Sequence, residues 1–113
     1  MVANYKKNVE KTNEGRYSYA DYQNWPNDER FELINGVIHN MNAPLRIHQK
    51  TVTELTKQLA IFFTGKKCEV YVSPFDVRLP KKSKKEDEIF DVVQPDLSVI
   101  CDQEKLDDKG CLG

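Results

Sequence analysis

Four ionisable residues, Glu32, His48, Asp76 and Asp96, stand in stretches that are otherwise apolar or β-prone. Carboxylates that arrive from separate strands on one side of a sheet are common oxygen ligands for a hard cation such as Mg²⁺. A cation held that way activates water and stabilises a phosphoryl transition state. Asp96 is the first candidate, because it follows Pro95 inside the stretch Asp91 to Cys101, where valines and isoleucines alternate with smaller or polar residues as in a buried strand. A proline cannot donate to a sheet ladder, so Pro95 marks a strand edge, a strand start or a bulge. A carboxylate among aliphatic neighbours loses hydration unless a cation, a donor or a metal compensates it.

Each of these residues also admits a plainer role. Pro95 could simply start the strand, with Asp96 merely capping a turn. Glu32 lies beside Arg30 on one arm of a hairpin, where a surface cross-strand pair is as natural as a ligand. His48 could be a hydrogen-bonded core histidine on the apolar side of a helix. Asp76 sits between Phe75 and Val77 and could face water. The combination with Asp96 is what makes a chemical role competitive.

The elements that must position them can be read in chain order. Met1 to Arg16 offers little to bury and is expected to be a flexible tail, with one domain over 17–113. Ser18 suits a helix N-cap, with Asp21 three residues on and Tyr19, Tyr22 and Trp25 at helical spacing before Pro26. Asn35-Gly36 separates two apolar-alternating arms, the strongest short-range hairpin signal. Between Ala43 and Thr64, the residues Ile47, His48, Val52, Leu55, Leu59 and Phe62 mark one face of an amphipathic helix, and Gly65 suits its end. Cys68–Val72 and Phe75–Leu79 read as strands interrupted at Ser73-Pro74, and Pro80 to Phe90 as a solvated loop. Asp102 to Gly113 looks like a connection leading onward.

Composition narrows the classes. Seventeen Lys and Arg against 18 Asp and Glu give a net charge of -1, so any attraction to phosphates must be local. The cluster Lys81, Lys82, Lys84 and Lys85 could rest against a phosphate backbone, yet Glu86, Asp87 and Glu88 follow at once and cancel most of its field. Asp107-Asp108-Lys109 has D-x-K form, but it precedes Gly110 without β-branched neighbours and is expected in a turn. The three cysteines, Cys68, Cys101 and Cys111, lack C-x-x-C spacing and are expected to be reduced thiols. No run is long enough for a membrane span and the start has no apolar signal core, so the expected location is cytoplasmic.

Five fragments in order carry a resemblance: Tyr17 to Tyr22, Phe31 to Ile38, Met41 to Pro44 with His48-Gln49, Ser73 to Val77, and Val92 to Val99. Together they resemble the Uma-type restriction-endonuclease family of the PD-(D/E)XK nuclease superfamily. The resemblance implies a restriction-endonuclease-like α/β (α+β) fold with a mixed central sheet, an N-terminal hairpin and one long amphipathic helix. It also implies Mg²⁺-dependent cleavage of DNA phosphodiesters. Asp96 matches the aspartate of the PD half-motif and is expected to ligate metal. Glu32 matches the family's first-strand glutamate, and His48 its helix histidine, an orienting group. The family's next strand, with a glutamate, and the helix with its lysine have no counterpart here. The domain is therefore expected to be incomplete at its C-terminus and poorly active by itself. A sheet edge left uncovered would invite a homodimer. The alternative is a non-catalytic dimerisation or nucleic-acid-binding module built on the nuclease fold.

Overall fold

A computed structural model describes residues 15–26 and 30–113. Most of the tail expected over 1–16 lies outside the described residues. Among the described residues, eight strands and two α-helices form an α+β architecture, as the sequence predicts, in two compact units. One unit holds residues up to Met41 with Arg78–Val93 and Gly113, and the other holds Asn42–Val77 with Gln94–Leu112.

The first unit is built on the Asn35-Gly36 turn. Asn35 and Gly36 have φ of 49° and 76°, the two positive values that a tight two-residue hairpin turn needs. A side chain at Gly36 would also strike Arg16. The turn joins β1 (Phe31–Ile34) to β2 (Val37–Asn40), antiparallel, with Ile34 opposite Val37. Alternation along β1 buries Phe31 and Leu33 and leaves Ile34 outside. Helix α1 (Tyr19–Tyr22) is shorter than its aromatic spacing suggests. Its start has the capping box expected from Ser18 and Asp21: the Ser18 amide donates to Asp21 Oδ2 at 2.8 Å, while the Asp21 amide donates back to Ser18 Oγ. That exchange lets Ser18 be fully buried. Around it Tyr17, Trp25 and Phe31 stack edge to face, with centroids 5.5 Å apart.

The expected solvated loop over Pro80 to Phe90 needs correction. The lysines are exposed, but after a short 3₁₀ turn at Glu86–Glu88 the side chain of Ile89 is fully buried. The carbonyls of Ile89 and Phe90 accept from the amides of Tyr19 and Gly36, each at 2.8 Å. These bonds hold the segment against the hairpin, and the Arg16 guanidinium covers the Phe90 ring at 3.8 Å. The single strand expected from Asp91 to Cys101 is divided. Strand β5 (Val92–Val93) pairs with β1 through Val92 and Leu33, whereas β6 (Leu97–Ile100) belongs to the second unit. Gln94-Pro95-Asp96 lies between them, where the missing proline N–H makes a break inexpensive.

In the second unit α2 (Arg46–Phe62) packs against β3 (Glu69–Val72). Four threonine hydroxyls, of Thr51, Thr53, Thr56 and Thr64, donate to the carbonyls four residues back. Of the apolar face read from sequence, Val52 and Leu59 are half-buried, while Ile47, Leu55 and Phe62 are exposed. Strand β3 pairs antiparallel with β6, Glu69 opposite Ile100 and Val72 opposite Leu97. One step beyond that register places Cys68 opposite Cys101, and the two form a disulfide with Cα atoms 4.0 Å apart. The expectation of reduced thiols at these positions is therefore wrong. Cysteine spacing along the chain carries no information about a pair set by strand register. Strand β4 (Asp76–Arg78) follows the break at Ser73-Pro74. The chain after Cys101 is not a plain connection: β7 (Leu106–Asp107) and β8 (Gly110–Leu112) form a hairpin. Its turn is Asp108-Lys109, with the Lys109 amide donating to Asp107 Oδ1 at 2.8 Å, so the D-x-K sequence closes a turn as expected.

Candidate active site

The site is built where α2 begins and β6 begins. Pro44 and Leu45 lead into α2, and His48 stands in its first turn. On the other side Pro95 breaks the extended chain and Asp96 forms a bend before Leu97. The Ser73 amide donates to the Asp96 carbonyl at 3.2 Å, which continues the β3–β6 ladder by one residue and fixes the backbone of Asp96. His48 Nε2 then lies 3.3 Å from Asp96 Oδ1. As an N–H donor the imidazole can hold one carboxylate oxygen in place. The pair is open to water, with the side chains 42% and 57% exposed.

That exposure corrects the premise that Asp96 is held inward among aliphatic side chains. The desolvated carboxylate of this stretch is Asp91, whose side chain is only 13% exposed. It is compensated as burial requires: Oδ1 accepts from the Asn35 amide at 2.8 Å, and Oδ2 lies 3.5 Å from Lys81 Nζ. Asp91 thus locks the hairpin turn, and Asp96 is left accessible for chemistry.

Two further residues support the bend. Gln94 Nε2 donates to Asp76 Oδ1 at 2.8 Å, tying the residue two before Asp96 to the first residue of β4. The Asp76 carbonyl in turn presses on Gly110, where any Cβ would come within 2.2 Å of its oxygen. Asp76 is half-buried and does not simply face water. Gln94 has a positioning part that the sequence signalled only by an amide directly before Pro95-Asp96. Glu32 sits on β1 opposite His39, half-buried, in the first unit. The structure therefore brings His48 and Asp96 together, and Asp76 with Gln94. Nearby on β3, Tyr71 faces Ser98 and its hydroxyl donates to Glu69. That bond, with burial and the Glu69 charge, pushes the phenol above its ordinary range. Among the described residues no three His, Cys, Asp or Glu side chains converge as a metal cage.

Comparison with known protein families matches residues 19–111 to Uma2, described as "Putative restriction endonuclease". The chain belongs to the Uma2 family. That membership agrees with the sequence resemblance and implies the PD-(D/E)XK superfamily, and the α+β architecture with one long helix fits a restriction-endonuclease-like fold. Among curated proteins none matches the chain. Uma2 membership supports a nuclease-type activity, and nucleases of this fold generally use a divalent metal. Among the described residues no helix is long and apolar enough to cross a membrane.

Proposed function

We propose that this Uma2 chain serves Mg²⁺-dependent hydrolysis of DNA phosphodiesters, with Asp96 as the metal carboxylate and His48 as the group that orients it. The observation that carries this reading is the 3.3 Å approach of His48 Nε2 to Asp96 Oδ1. The described residues do not make an all-protein cage, but Mg²⁺ keeps several waters and is often held by one or two carboxylates together with substrate phosphates. An accessible carboxylate fixed through its backbone fits that part. Bound there, the ion would lower the pKa of a water and offset charge on the phosphate. The chain's own contribution is to hold Asp96 in one rotamer through His48 and to fix the bend through Ser73 and Gln94. Glu32 takes a second catalytic role on β1, and Glu32→Gln tests it separately. Cleavage of plasmid DNA with Mg²⁺ or Mn²⁺, lost in Asp96→Asn, is the experiment that tests the proposal.

Acting on DNA, the protein would work in the cytoplasm, a compartment in which the Cys68–Cys101 disulfide would meet a reducing thiol pool. The homodimer expected from a sheet edge has a surface available: β3–β6 is two-stranded, so among the described residues each strand keeps an outer edge. The alternative reading is a non-catalytic DNA-binding or dimerisation module, which would bind DNA without cutting it in either metal.

A further inference from the structure

Burial is unevenly shared between the two units. Among the described residues, Cys111 is the one buried apolar side chain of the second unit, and the others, from Tyr17 to Val92, lie in the first. No residue of β3 or β6 is fully buried, and α2, which packs against β3, has no buried residue either. A two-stranded sheet of four residue pairs is marginal in water without further support. Here the support is covalent: Cys68–Cys101 closes one end of the β3–β6 ladder. Beyond the bridge, Gln103 Nε2 reaches the Lys67 carbonyl and Glu69 Oε2 only at 3.4 Å.

Asp96 stands at the other end of the same ladder. Pairing runs from Cys68 and Cys101, through Glu69 with Ile100 and Val72 with Leu97, to the Ser73 amide on the Asp96 carbonyl. Five strand steps, about 17 Å, thus join the bridge to the carboxylate. With the bridge open, the backbone of Asp96 would hang on a marginal ladder, helped by Gln94 on Asp76 and by the water-exposed contact with His48. Cys101 is exposed and Cys68 half-buried, so a small thiol can reach the bridge at the Cys101 sulfur. Its thiolate attacks Cys101 Sγ, the Cys68–Cys101 bond breaks, and the electron pair leaves on Cys68 Sγ, which takes up a proton. A second thiolate attacks the small thiol's sulfur in that mixed disulfide, and Cys101 leaves as a thiolate and is protonated. In balance, two small thiols become one small disulfide while the protein gains two electrons and two protons. A small disulfide drives the same steps backward.

We propose that the Cys68–Cys101 bridge is a redox switch on the Asp96 site: the disulfide holds the β3–β6 ladder and keeps Asp96 beside His48, and exchange with small thiols releases both. Its effect on cleavage rests on the nuclease reading, whereas its effect on the ladder does not. The test equilibrates the full chain with reduced and oxidised glutathione in varied ratio, then reads amide hydrogen exchange and plasmid nicking in Mg²⁺. As the bridge opens, exchange at the Ser73 amide should rise at least about tenfold, while the Asn35 amide, bonded to Asp91 in the first unit, stays as protected as before. Nicking should fall at least about tenfold over the same ratios and return on reoxidation. Cys101→Ser should match the reduced protein at every ratio, and Cys111→Ser, outside the bridge, should still switch. Equal Ser73 exchange at both ends of the range would overturn the proposal. So would equal loosening at Asn35, which would mean that reduction unfolds the whole chain, or nicking by Cys101→Ser at the rate of the oxidised wild type. Oxidised protein with a protected Ser73 amide and no nicking would refute the nuclease reading and still support the link from bridge to Asp96.

Discussion

Asp96→Asn removes the carboxylate charge at nearly constant shape, and the structure says how stability and activity should separate. Even with a protonated imidazole, charges 3.3 Å apart attract by only about 1.3 kcal/mol in bulk water. Side chains 42% and 57% exposed are well hydrated, so ordering and salt should reduce the net contribution to below about 1 kcal/mol. For a chain of 113 residues that corresponds to a melting temperature lower by no more than about 5 °C. Activity should respond on another scale. Loss of an orienting partner typically costs about 10- to 100-fold, so His48→Ala should cut nicking of supercoiled plasmid by about that factor, and Asp96→Asn by more. Thermal melting and plasmid nicking in Mg²⁺ and Mn²⁺, on the same preparations, give both numbers. In the double substitution the effects on nicking should fall well short of multiplying, because both act on one carboxylate. A melting temperature lowered by more than about 10 °C in Asp96→Asn, with nicking unchanged, would mean that the residue is structural and would refute the reasoning.

Other consequences are as specific. Gly110→Ala should cost about 3 kcal/mol or more in urea unfolding, because its Cβ would lie 2.2 Å from a backbone oxygen at a φ of 139°; an unchanged midpoint would mean that Asp76 yields freely. Tyr71 is held protonated by its bond to Glu69, so its contribution to stability is present below about pH 10 and is lost as pH rises through the folded value. The difference in tyrosinate absorbance between wild type and Tyr71→Phe should therefore show ionisation above that pH, and Glu69→Gln should bring it back. The Cys68–Cys101 bridge spans 33 residues, and chain entropy gives such a closure about 3 to 4 kcal/mol. Reductant should lower the melting temperature by more than about 10 °C, and Cys101→Ser should melt low with or without it.

Local signals were legible because one or two residues decide them. Asn35-Gly36 accepts the positive φ values of the turn, Ser18 and Asp21 satisfy one another's amides, and Ser73-Pro74 breaks the strand between β3 and β4. The long helix followed from its periodicity, although exposed Leu55 and Phe62 show that an apolar stripe does not state what covers it. What escaped depends on partners far along the chain. Cys68 meets Cys101 through strand register, and Ile89, buried despite its acidic approach, is held through its carbonyl by the amide of Tyr19, far earlier in the chain. Whether Asp91 or Asp96 is the desolvated acid cannot be read from a run that surrounds both with valine and isoleucine. The Asn35 amide decides it, from the opposite end of the first unit's sequence.

The threonines of α2 have a consequence for how this protein could adapt to heat. Thr51, Thr53 and Thr56 bond back to the helix's own carbonyls, an arrangement that commonly bends a helix and gives it less intrinsic stability than alanine would. A lineage moving to warmer water could exchange exposed Thr53 for alanine and gain a few tenths of a kcal/mol, with His48 and Asp96 left alone. The helix that presents the histidine is thus also where thermal tolerance is most cheaply acquired.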